Sequence, residues 1–89
     1  MIRMFVRHLV TDFDRWKQGY EAFGARRNEM GVRAQAVFQS VEDPNEVTVW
    51  HDFDNLETAK VFVESPQLRE AMSAAGVSGQ PKIWFTHQV

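Results

Sequence analysis

Three imidazoles and one guanidinium are the side chains here whose placement suggests chemistry: His8, His51, Arg27 and, near the last residue, His87. His8 and His51 each lie two residues before the end of an apolar, β-rich run (Val10 and Phe53 being the ends). A neutral imidazole at such a place can take a proton from an acidic phenol or enol. Arg27 interrupts the aromatic series Phe13, Trp16, Tyr20, Phe23 and could hold the resulting anion. The catalytic set read from the sequence is therefore His8, His51 and Arg27, with Trp16, Tyr20, Phe23, Phe53 and Phe62 lining a substrate pocket. Plainer roles compete with each assignment. A half-buried histidine is commonly a hydrogen-bonded structural residue, an arginine can pair with a surface carboxylate, and an aromatic stripe can be core. Two histidines and no cysteine fall short of a metal-ligand set, so no metal and no other cofactor is expected.

The elements that must position these residues follow from periodicity. Residues 2–10 form a strand with apolar side chains at both parities, the mark of a strand covered on both faces. Thr11 or Asp12 caps a helix whose stripe Phe13, Trp16, Tyr20, Phe23, Arg27 recurs at three and four. Met30-Gly31 closes it, with glycine in the left-handed position. Gly19 and Gly24 inside it each cost about 1 kcal/mol relative to Ala, which points to close packing there. Residues 32–41 alternate as a strand, Asp43-Pro44-Asn45 turns, and residues 46–53 return as a second strand of a hairpin. Asp54-Asn55-Leu56-Glu57 resembles a capping box that opens a helix burying Leu56, Ala59 and Val63. Ser65-Pro66 breaks and restarts it, Ser capping and Pro at the first helical position. Leu68, Ala71, Met72 and Ala75 follow at helical spacing up to Gly76, and residues 82–87 form a last strand after Gly79-Gln80-Pro81.

The order β-α-β-β-α-β is the split βαβ, ferredoxin-like arrangement: an α+β fold with a four-stranded antiparallel sheet. Right-handed crossovers put both helical segments on one face. The other face then carries Phe5, Leu9, Val37, Val41, Trp50 and Trp84, too much apolar surface to leave wet. A second copy is expected to cover it, pairing sheet to sheet through Phe5, Arg7, Trp50, Asp52 and Trp84 to make a dimeric α+β barrel. If the strands at 2–10 and 46–53 run parallel as central neighbours, His8 and His51 lie side by side under the helices, and Arg7 faces Asp52 as an ion pair.

Composition bounds the rest. Eighty-nine residues make one domain, 1–89, and a chain this short has a small core. With no cysteine there is no disulfide, so oligomerisation is the expected source of added stability. A content of 44% hydrophobic and 12% aromatic residues agrees. A net charge of −2 argues against nucleic acid or an anionic membrane as partner. No apolar run approaches a bilayer span and no signal core opens the chain, so a cytoplasmic location is expected.

Three stretches resemble a known family. These are Val6-Arg7-His8-Leu9-Val10-Thr11-Asp12-Phe13-Asp14-Arg15-Trp16-Lys17, then Asp43-Pro44-Asn45-Glu46-Val47, then Glu64-Ser65-Pro66-Gln67-Leu68-Arg69-Glu70-Ala71-Met72, continued by Gly76-Val77 and Gly79. They are similar to the dimeric α+β-barrel proteins of the antibiotic-biosynthesis-monooxygenase-like group, over nearly the whole chain. The resemblance implies the fold and the homodimer. For activity it implies a range: cofactor-free oxygenases on aromatic polyketides, haem-degrading enzymes, cyclases, isomerases and members without known activity. The Asn/Trp/His set of the haem-degrading branch is not clearly present. Two functions stay open: a cofactor-free monooxygenase, cyclase or isomerase on an aromatic or enolisable substrate, or a non-catalytic dimeric ligand-binding module. A haem-handling protein is a third and would show a Soret band with haemin.

Overall fold

Alternating apolar side chains make the strands, and capped amphipathic segments make the helices that lie on them. The computed structural model describes all residues, 1–89. Its elements are β1 (Ile2–Val10), α1 (Phe13–Ala22), α2 (Gly24–Glu29), β2 (Ala34–Gln39), β3 (Glu46–Phe53), α3 (Leu56–Glu64), α4 (Pro66–Ala74) and β4 (Val77–His87). The strands form one sheet, ordered β2-β3-β1-β4, with every neighbouring pair antiparallel. This is the expected α+β, ferredoxin-like arrangement, with both helical arms interrupted.

Local chemistry explains the joints. Asp12 caps α1 by accepting from the Asp14 amide, and the Asn45 side chain accepts from the Phe13 amide at 3.0 Å, tying the β2–β3 turn to the helix start. Asn55 and Ser65 cap α3 and α4 by accepting from the Thr58 and Leu68 amides, and Pro66 opens α4. Gly31 (φ 98) and Gly76 (φ 86) take the left-handed turns that end α2 and α4. The core fills the space between the sheet and the helices. Met4, Val6, Val32, Phe53, Ala59 and Phe62 form one cluster, and Val10, Trp16, Val47, Val49 and Ala75 a second.

Several expectations are corrected. β1 and β3 are antiparallel, because the hairpin reverses β3 relative to β2, whose right-handed crossover from β1 fixes its direction. His8 therefore faces Val47 and His51 faces Met4, four positions apart on β1, so the two are not lateral neighbours. The same reversal replaces the Arg7–Asp52 pair. Arg3 grips Asp52 with two bonds of 2.8 and 3.0 Å, and Arg7 pairs with Glu46. Val37 faces the helices opposite Val49, leaving Ala36 and Phe38 on the open face, while Val41 lies in the turn. The expected single first helix breaks at Phe23. Phe62 rather than Leu56 packs beneath α3 beside Ala59. β4 starts five residues early, at Val77, and accommodates Gly79-Gln80-Pro81 as a bulge where the β1 register jumps between Arg7 and Leu9.

Candidate functional site

A cavity of about 60 Å³ lies between the central strands and the helices. β1 supplies Met4, Val6 and His8 to its floor, and β3 supplies Val49 and His51. The roof comes from α1 and α2 (Trp16, Tyr20, Arg27) and from α3 and α4 (Phe62, Leu68, Met72). Seven of the eight sequence-selected residues border this space: His8, His51, Arg27, Trp16, Tyr20, Phe23 and Phe62. Phe53 does not. It is fully buried behind the wall, its ring 5.4 Å from that of Phe62 and 6.5 Å from His51.

Aromatic rings bridge the separation that antiparallel pairing puts between the histidines. His8 lies 5.5 Å from Trp16, Trp16 stacks on Tyr20 at 5.0 Å, and Tyr20 stacks on His51 at 6.0 Å. α1 makes this possible because Trp16 and Tyr20 are four residues apart and so lie on one helix face. The floor histidines are thus two ends of one cavity, roughly 13 Å apart along the strands at about 3.3 Å per residue.

Both imidazoles are buried and incompletely bonded. Neither His8 nitrogen has a partner, and His51 lacks one at Nδ1. Burial holds each far below the ordinary imidazole value, at about 4, and for His51 the nearby Arg27 charge pushes the same way. Both are therefore neutral at pH 7, the protonation state a base requires. Burial pushes the Tyr20 phenol up to about 12, although Arg27 opposes this.

Arg27 is 3% exposed and joins no salt bridge. Its guanidinium lies 3.6 Å above the Tyr20 ring, Nη1 donates to the Tyr20 carbonyl, and Nε donates to Gln35 Oε1 at 2.9 Å. A buried cation without a carboxylate is costly unless something else offsets its charge. Here only a ring face and two neutral oxygens do so.

Gln35 is the member that the sequence did not reveal. Its Oε1 accepts from Arg27 Nε and, at 3.0 Å, from the Tyr20 hydroxyl, whose oxygen also lies 3.0 Å from His51 Nε2. Gln35 stands opposite His51 across the β2–β3 ladder. That register, within the hairpin the sequence already indicated, was the one available signal. No three His, Asp or Glu side chains cluster tightly enough to hold a metal ion. No helix is long and apolar enough to cross a membrane.

The α+β fold with its four-stranded antiparallel sheet is shared from end to end with structures of antibiotic biosynthesis monooxygenases. A candidate antibiotic biosynthesis monooxygenase from Bordetella bronchiseptica overlays with a TM-score of 0.80 at 19% identity, covering 99% of this chain and 96% of that one. A similar candidate from Caulobacter crescentus gives 0.77 at 16% identity, over 99% and 89%. SnoaB, a cofactor-independent oxygenase from Streptomyces nogalater, gives 0.76 at 10% identity, over 99% and 94%. At these identities the likeness is one of fold. No family model matches the sequence, and no curated protein matches it.

Proposed function

We propose that this protein is a cofactor-independent enzyme that abstracts a proton from a small aromatic or enolisable substrate, acting as a monooxygenase or as a cyclase or isomerase. One observation carries the reading: two neutral imidazoles with unbonded nitrogens and a buried, carboxylate-free arginine border a single apolar cavity. A histidine takes the proton, and Arg27 stabilises the enolate or phenolate left behind. The carbanion form of that anion can then meet oxygen or rearrange. SnoaB, a cofactor-independent oxygenase of the same fold, supports the oxygenase branch. The reading includes a homodimer, with a second copy on the open face around Phe5, Arg7, Trp50, Asp52 and Trp84.

Deuterium wash-in tests the step directly and does not depend on the later fate of the anion. A panel of 1,3-diketones and activated phenols is incubated with protein in D2O, and C–H exchange is followed by NMR. Wild type should accelerate exchange in at least one member, and the His8→Ala/His51→Ala double variant should not. Equal acceleration by a folded double variant would remove both histidines from the reaction.

A second reading, a ligand-binding module without turnover, uses the same apolar cavity and needs no proton-transfer group. Under this reading small ligands raise the melting temperature and are recovered chemically unchanged.

A further inference from the structure

The chain Arg27–Gln35–Tyr20–His51 contains fewer protons than it has choices, and counting them assigns each one. Arg27 Nε can only donate, so the Gln35 atom facing it at 2.9 Å is the carbonyl oxygen. That oxygen can only accept. It lies 3.0 Å from the Tyr20 hydroxyl, so the single Tyr20 proton is directed to Gln35. Tyr20 then has nothing left to give His51, yet its oxygen lies 3.0 Å from His51 Nε2. The proton in that contact belongs to the imidazole.

We infer that Gln35 is a positioning residue: by capturing the Tyr20 proton it fixes His51 as the Nε2–H tautomer and leaves the Nδ1 lone pair as the site's base. Nδ1 has no partner within the chain, and His51 borders the cavity. When it takes a proton, the Nε2–H bond to Tyr20 becomes charge-assisted and holds the ring in place. Gln35 thereby does for His51 what an orienting acceptor does for any catalytic histidine, through an intervening phenol. His8 has no such arm. Neither of its nitrogens is bonded, so its tautomer is set by whatever enters the cavity. The inference rests on the proton-abstraction reading for its purpose, but not for its test.

Two-bond proton–nitrogen correlation spectra of protein labelled at the histidine nitrogens read each tautomer directly at pH 7, with no substrate present. His51 should appear wholly as Nε2–H. In Gln35→Leu the Tyr20 hydroxyl is free to turn toward His51, and an Nδ1–H population should become visible. Gln35→Glu keeps an acceptor oxygen and should restore the single Nε2–H form. Gln35→Leu also removes one of the two oxygens that offset the Arg27 charge, so a thermal melt checks that each variant is folded before its spectrum is read. A wild-type Nδ1–H signal, or a Gln35→Leu spectrum indistinguishable from wild type, overturns the assignment. Failure of deuterium wash-in would instead remove the proton-abstraction reading and leave these spectra unchanged.

Discussion

A histidine buried without a partner is a standing cost, and His8 is 7% exposed with both nitrogens unbonded. An unsatisfied buried polar group costs about 1–3 kcal/mol. His8→Leu keeps the site apolar and of similar volume, and should raise the urea midpoint at pH 7 while abolishing proton transfer that uses this ring. Acid adds a second effect. The folded values of His8 and His51 lie near 4, below the ordinary value of 6.5 in the unfolded chain. Between those limits the unfolded state binds more protons, so stability rises with pH and falls on acidification. The loss begins near pH 6.5, grows to roughly 3 kcal/mol per histidine, and levels off below about pH 4. Urea midpoints measured from pH 7 to 4 should therefore drop steeply in wild type and less steeply in His8→Leu. A midpoint independent of pH across that range contradicts the buried, neutral assignment. At this scale the sequence was informative about residue type. His8, His51, Arg27, Trp16 and Tyr20 could be picked out because polar groups within apolar periodicity stand out. Gln35 could not, because its importance lies in two hydrogen bonds, and nothing about a glutamine in an alternating strand marks which partners it meets.

Elements were legible where local chemistry decides them and illegible where direction does. The α1 cap, the glycine stops and the Ser65-Pro66 restart appear as expected, since each depends on a few adjacent residues, whereas α3 is capped by Asn55, one residue after the expected Asp54. The Arg7–Asp52 expectation failed because register depends on which way β3 runs, a property of the whole crossover. The α1–α4 seam yields a prediction at this scale. A Cβ on Gly19 would lie 2.9 Å from the Ala75 Cβ, too close for two carbons in a packed seam. Gly19→Ala should therefore lose stability despite a helix-propensity gain of about 1 kcal/mol. Adding Ala75→Gly removes the opposing methyl, and the double variant should recover most of the loss. Strict additivity in that thermal-melt cycle would show that the seam is not a contact. Gly19 and Ala75 also line the cavity, so the same pair limits how far it can open for a ring-sized ligand.

The whole molecule carries an imbalance that one copy does not resolve. Only 15 of its 89 residues are buried, and its surface of 5744 Å² exceeds the roughly 5,400 Å² usual for a monomer of this mass. On the open face Phe5 stacks on Trp84 at 5.3 Å, Arg3 covers Trp50 at 3.7 Å, and Leu9 and Phe38 are each about half exposed. Of the cations there, Arg3 is paired with Asp52 and Arg7 with Glu46, while Lys82 joins no ion pair and lies over the Trp84 ring. These features suit a two-fold sheet-on-sheet contact of about 800 Å² per partner. Sedimentation at micromolar concentration should find a dimer. Trp84→Glu and Phe38→Glu, which place charge on that face, should each weaken association at least tenfold. Since the cavity opens on the opposite side of the sheet, the resulting monomers should keep the wild-type His51 tautomer. A wild-type chain that sediments as a monomer defeats the pairing and leaves the proton arrangement under the helices to stand on its own spectra.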